Sequence, residues 1–258
     1  MMFQIIKNFK ENELNPIIWF FFPLFILFLI LLFKNLYFIF DQSKFLINFF
    51  QSEDGAVEIT TFMLLIISIF ISIFTLVKIK KKLKTKKEFF FLFIFLIGLI
   101  YFAGEEVSWG QHYFHWDTSN FFLLFNSQKE TNIHNISSWF NEKPKTLLLL
   151  FIFFGGIIYP FFRKNSNNLL NEETQFTDWI FPTFCCFPSS IVCLFLYLLN
   201  KLYKLLCYGN PGVDLWESCN FIPDFLYFRT SEIIELYISI FFLIYILSIN
   251  ARLKKINN

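Results

Sequence analysis

The chain has 258 residues, of which 56% are hydrophobic, 22% aromatic and only 16% charged, with a mean hydropathy of +0.54. Soluble domains carry about 25% charged residues, so composition argues against an ordinary soluble enzyme and excludes a disordered tail or a small disulfide scaffold. The formal net charge of +2 speaks against a nucleic-acid partner; the expected partner is membrane lipid.

A bilayer core about 30 Å thick takes about 20 apolar residues as a helix. In chain order, residues 17–33, 57–77, 89–103, 147–162, 179–199 and 233–249 meet that need, some only with flanking residues added. The prediction is one integral membrane domain over residues 1–258. Its fold class is all-α: a polytopic helical membrane bundle of about six transmembrane helices, with short interfacial helices in the outer loops.

The first segment reads as a retained helix, because its apolar run is too long for a typical signal peptide and no small-residue cleavage site follows. The second and third are joined by a lysine-rich link, Lys78 to Lys87, which orients the bundle with that link on the cytoplasmic side. Both termini then lie in the cytoplasm. Fourteen of the 22 basic residues fall on the inner side and fourteen of the 20 acidic residues on the outer side. The outer loops, residues 34–56, 104–145 and 200–231, are long. Within them, Phe45 to Phe50 and Phe121 to Phe125 are too apolar for water and are expected to lie in the membrane interface.

The fifth segment contains Pro182 and Pro188, and Pro23 sits in the first; each is expected to kink its helix. Cys185, Cys186 and Cys193 lie in the fifth segment as small hydrophobes. Cys207 and Cys219 fall in an outer loop, a compartment that permits a disulfide. The 42 phenylalanines serve as lipid-facing filler and carry no functional weight.

Acidic residues gather where helices meet the outer boundary. Glu58 opens the second span, Glu105 and Glu106 close the third, and Glu232 and Glu235 open the sixth. Carboxylates in a first turn are favoured by the helix dipole, which gives Glu58, Glu232 and Glu235 a purely structural reading as well. Glu105 and Glu106 sit at the wrong end of the dipole and repel each other near hydrocarbon, so they need a positive partner. If the third helix runs on, Glu105, Trp109 and His112 share a face. Glu130 and His134 are spaced i, i+4, which on a helix aims a carboxylate and an imidazole the same way, toward one metal ion or as an acid/base pair. All three histidines, His112, His115 and His134, lie in this one loop.

Gly104-Glu105-Glu106-Val107-Ser108-Trp109-Gly110-Gln111, followed by Asn126-Ser127-Gln128-Lys129-Glu130-Thr131-Asn132-Ile133-His134-Asn135, resembles a family of multi-pass bacterial membrane proteins of uncharacterised function. That family carries an E-E-x-S-W-G-Q … N-x-Q-x-E-x-N-x-H-N signature. The entries at Asp54-Gly55 to Glu58 and at Glu232/Glu235 are similar to it too. Where the family pattern often has Arg after the Gln, this chain has His112. The resemblance supports grouping these residues and, with the compositional bias, implies a bacterial inner membrane; it brings no activity.

The favoured function is a metal-assisted or acid/base enzyme acting on a lipid or lipid-linked substrate at the outer membrane interface. Glu105, Glu106, Glu130 and His134 are its candidate catalytic groups, and Trp109, Gln111 and Asn135 its substrate-positioning ones. A divalent metal ion, if used, would be held by Glu106, Glu130 and His134 with Glu58, Glu232 and Glu235. One alternative is a non-catalytic scaffold or assembly protein whose acidic rim ties loops to helix ends. A cation transporter is less favoured, because pathways place ionisable groups near the midplane rather than at one rim.

Overall fold

The computed structural model describes residues 13–39, 55–82, 86–126, 129–133, 135–162, 176–208 and 230–255, and among them there is no strand. In chain order the helices are α1 (Phe22–Ile39), α2 (Ala56–Lys82), α3 (Lys86–Glu106), α4 (Gln111–Phe114), α5 (Asn120–Phe125), α6 (Ser138–Phe151), α7 (Tyr159–Phe162), α8 (Phe176–Ile180), α9 (Phe187–Tyr208) and α10 (Thr230–Lys255). A π-helical turn, Ile17–Phe21, leads into α1, and a second, Ile152–Ile158, joins α6 to α7.

Four stretches are long and apolar enough to cross a bilayer: Ala56–Ile79, Lys86–Glu106, Phe184–Leu202 and Ser231–Leu253. This is the architecture of a membrane-embedded protein. Two of the six expected spans take another form. Residues 17–33 make a shorter apolar helix, and residues 147–162 are the later part of α6, the π-helical turn and α7 rather than one regular helix.

The expected span 179–199 is also redrawn. Trp179 and Ile180 end α8, the chain breaks at residues 181–183, and a 3-10 turn, Phe184–Cys186, starts the next helix. Pro182 therefore sits in the break. Pro188 lies in the first turn of α9, where a missing N–H removes no intrahelical bond. Pro182 separates two helices and Pro188 begins one; neither kinks a continuous helix.

The bundle is organised around α10, of whose apolar window 78% is buried inside the protein, against 33–44% for the other three. Its sequence is apolar on every face, as a central helix requires. Its buried tyrosines find backbone partners, as buried hydroxyls must: Tyr237 Oη donates to the Pro23 carbonyl at 2.8 Å, and Tyr245 Oη to that of Ile180. On α2, the buried Thr61, Ser68, Ser72 and Thr75 each donate to the carbonyl four residues back, so small side chains admit a close neighbour without an unpaired hydroxyl. Outward, Phe25, Phe28, Phe70, Phe74, Phe90, Phe93 and Phe195 are exposed, an apolar exterior suited to lipid.

Contacts fix the direction of each helix. Lys78 Nζ donates to Asn250 Oδ1 at 2.9 Å, at the end of the bundle where the α2–α3 link lies. Thr183 and Ser248 hydroxyls meet at 3.0 Å, while Cys193 lies against Ile234, so α9 is antiparallel to α10. At the link end, Glu13 accepts hydrogen bonds from Thr183 and Ser248 and lies 4.0 Å from Arg252 Nε. Burial opposes ionisation of Glu13, but Arg252 and the two hydroxyls outweigh it and hold the carboxyl below its ordinary value. The amino ends of α2 and α10 and the carboxyl end of α3 consequently share the opposite end of the bundle, with residues 107–126 and 129–133 beside them.

Candidate functional site

At that end two polar centres are built back to back. The first begins where α3 stops. After Val107, three successive residues take left-handed backbone, Ser108 (φ 46), Trp109 (φ 57) and Gly110 (φ 100). Left-handed non-glycine residues cost on the order of 1 kcal/mol each and persist only where surroundings enforce them. Here the enforcement is explicit. Trp109 Nε1 donates to Glu105 Oε1 at 2.8 Å, and Ser108 Oγ donates to Glu130 Oε2 at 2.7 Å. The Trp109 indole lies directly on Gly104, where a Cβ would come within 2.8 Å of the ring.

The second half of the motif closes on the first. The Ile133 amide donates to Glu105 Oε2 at 2.7 Å. Asn132 Nδ2 donates to Ser108 Oγ at 3.0 Å and to Glu130 Oε2 at 2.7 Å. Asn126 Nδ2 donates to the Asn132 carbonyl and side-chain oxygens at 2.8 and 2.7 Å. Gln111 Oε1 accepts from the Thr131 amide at 2.7 Å, and its Nε2 donates to Thr118 Oγ1 at 2.7 Å. Glu105, Ser108, Asn126 and Asn132 are all buried. The result is a clasp in which buried polar atoms are consumed by the chain itself.

The second centre starts one residue later. Successive helical residues point about 100° apart, so Glu106 turns away from the clasp. It is half-buried, and the charges of Glu235, Glu232, Glu58 and Lys145 all act on it. Lys145, from α6, donates to Glu235 Oε1 at 2.8 Å. Burial alone would lower the Lys145 pKa. The Glu235 carboxylate and its hydrogen bond, then Glu232 and Glu106, reverse this and raise it. The helix ends contribute too: the positive amino ends of α2 and α10 face Glu58 and Glu232, in their own first turns, and lie beside the negative carboxyl end of α3.

The structure thus divides the predicted residues. Glu58, Glu232 and Glu235 all act electrostatically on Glu106. Glu105, Trp109, Gln111 and Glu130 belong to the clasp. α3 ends at Glu106, so Trp109 reaches Glu105 through a left-handed turn and not along a continued helix. The described residues around Glu130 are not helical. His134 itself lies outside the described residues, as do Cys219 and residues 45–50, and the side chains of His112 and Cys207 are not described. Asn135 is half-buried in a turn. Among the described residues, no three His, Cys, Asp or Glu side chains are grouped to hold a metal ion.

Lys145 escaped the sequence reading. Its signal was a lysine directly before the apolar run 147–162, where a cation at membrane depth requires a buried carboxylate. Comparison with protein-family models, with curated proteins and with solved structures finds no match.

Proposed function

We propose that the chain is an integral membrane enzyme that uses the Glu106-centred cluster for acid/base chemistry on a lipid or lipid-linked substrate. The supporting observation is the Lys145–Glu235 ion pair at 2.8 Å, at the bundle end where α3 stops at Glu106 and the charges of Glu235, Glu232 and Glu58 act on that carboxyl. Grouped carboxylates beside an ammonium pass protons to and from a reacting group, the work of general acids and bases. Glu106 exchanges the proton; Glu58, Glu232 and Glu235 shape the field around it. The clasp sets the edge of the site, with Trp109 and Gln111 placed to position substrate. Residues 17–33 and 147–162 complete six crossings. The lysine-rich α2–α3 link then lies in the cytoplasm with both termini, and the cluster faces the outer leaflet of a bacterial inner membrane. The short α4 and α5 lie in that leaflet's interface.

The test is lipid turnover. Purified protein in vesicles of bacterial polar lipid is incubated and the lipids are read by mass spectrometry. Wild type is expected to convert at least one species, and E106Q, with an unchanged helical spectrum and thermal midpoint, to convert none. An E106Q protein as active as wild type, or a wild type without turnover, overturns the proposal. One observation favours a second reading, a non-catalytic assembly protein: Glu105 spends both oxygens on Trp109 and Ile133 within the chain. On that reading the acids are structural, and E106Q lowers stability with no separable activity.

A further inference from the structure

Of the elements around Glu106, α6 is the one that stands off the bundle. Between Trp139 and Leu147, every described side chain except Lys145 is exposed. Thr146 Oγ1 donates to the Glu142 carbonyl within the helix itself. Among the described residues of this stretch, the hydrogen bond that leaves the element is Lys145 Nζ to Glu235 Oε1, at 2.8 Å across 90 positions. Packing resumes at the carboxyl end. Leu149 and Ile152 are buried, the Phe151 ring meets Phe241 and Tyr245 edge-on at 6.0 Å, and Gly156 lies against Ser190. The element is therefore an arm with a fixed root and one polar latch near its middle. Two features let it bend. Pro144, directly before Lys145, withholds the donor that the Phe140 carbonyl would receive in a regular helix. The root runs into the π-helical turn Ile152–Ile158, a distortion that recurs where helices bend and at functional sites.

We propose that α6 is a lateral gate latched by the Lys145–Glu235 pair, and that it admits substrate sideways from the membrane as a lipid whose acyl chains stay in the bilayer. The inference rests on the reading of Glu106 as the working group and adds the route to it. Position carries the argument. The Lys145 charge acts on Glu106 and Glu232 and, on α9, on Cys193, and Cys193 lies against Ile234 of α10. The latch thus stands where α9 meets α10, beside Glu106. Leu147 and Leu150 are exposed along the arm just past the latch, so a gap between α6 and α10 opens there onto hydrocarbon and not onto water. Lys145 itself precedes the apolar run 147–162, the depth at which a headgroup sits with its chains beside Leu147 and Leu150. With 18% and 23% of the two side chains exposed, the pair is neither sealed in a core nor fully solvated, which suits a bond that is made and broken. An arm with few buried apolar contacts opens locally while the rest stays folded, as gates over enzyme sites do.

The experiment uses the full chain in phosphatidylcholine nanodiscs. Nitroxides are attached to p-acetylphenylalanine at Glu142 and Ile59, both exposed, so the native cysteines stay untouched, and their separation is read by double electron–electron resonance. Wild type and K145R, which keeps the cation, are expected to give one distance. E235Q and K145Q are expected to add a second, longer one. In the same discs, a phosphatidylcholine with an alkyl diazirine in its acyl chain is photolysed and the labelled peptides are read by mass spectrometry. Labelling of Glu106 and Cys193 is expected to rise severalfold in E235Q and K145Q over wild type, with no such rise from a water-soluble alkyl diazirine. A single unchanged distance in both variants, whatever their thermal midpoints, marks a bond that only stabilises and overturns the proposal. An opened arm without lipid labelling at either residue, or with labelling from the aqueous reagent instead, overturns it as well. No turnover is measured, so a failed lipid-conversion assay leaves the gate standing, and a gate that stays shut leaves the role of Glu106 to its own test.

Discussion

At Gly104 there is no room for a methyl group. A Cβ would press into the Trp109 indole at 2.8 Å, so G104A is expected to lose about 1–3 kcal/mol of stability, read as a lowered thermal midpoint. W109F keeps an aromatic ring, smaller than the indole, but removes the Nε1–H donor to Glu105; a buried charged acceptor left short of a partner costs on the order of 1.5–3 kcal/mol. Adjacent Gly-Glu-Glu and Ser-Trp-Gly were legible in the sequence as a unit, but their purpose was not. The pair read as the close of the third helix, with a continued helix as the alternative, and only the left-handed backbone at residues 108–110 shows why Glu105 and Glu106 serve different centres. At the other end, Glu13 gives a pH prediction. Its carboxyl lies below its ordinary value in the folded protein, so it stabilises fully above that ordinary value, and the contribution fades as pH falls through the lower, folded value. Acid titration of thermal stability should show E13Q lacking that component of the wild-type loss; an identical acid limb in both proteins contradicts the assignment.

Among the elements, the joint from α6 to α7 is the most constrained. A Cβ on Gly156 would stand 2.0 Å from Ser190 Oγ and 3.0 Å from Phe241, so the π-helical turn passes α9 and α10 at backbone distance. G156A is expected to destabilise by about 1–3 kcal/mol. G98A, where nothing lies within 4 Å of the added atom, should leave stability unchanged or slightly raised, since alanine suits a helix better by roughly 1 kcal/mol. Thermal midpoints of the two variants in one detergent make the comparison. Hydropathy located the four stretches long and apolar enough to cross a bilayer, because lipid asks only for apolar surface and internally bonded backbone. It placed their ends poorly. The break at residues 181–183 and the start of α6 at Ser138 depend on proline position and on which carbonyls neighbours cover, and neither leaves a mark in a hydropathy window.

For the whole molecule, the sorting of charges along the chain foretold the arrangement better than any single motif did. Lys78 and Arg252 mark one end of the bundle and Glu58, Glu106, Glu232 and Glu235 the other, so acids far apart in sequence share a boundary because helices of similar length begin and end there. Sidedness is open to direct labelling. Single cysteines placed at Lys129 and at Lys87, both exposed, should react with an impermeant maleimide from opposite faces of an intact cell, Lys129→Cys from outside and Lys87→Cys only after permeabilisation. What the sequence did not disclose is the ammonium that pairs with Glu235. Lys145 belongs to a helix of otherwise ordinary pattern, and its partnership with Glu235 exists only once α6 and α10 are packed. Zero-length carbodiimide coupling of the purified protein, followed by peptide mass spectrometry, puts that convergence to the test. An amide joining Lys145 to Glu235, absent from E235Q, is the predicted product; Lys145 recovered uncoupled, or coupled only to its near neighbour Glu142, would contradict it.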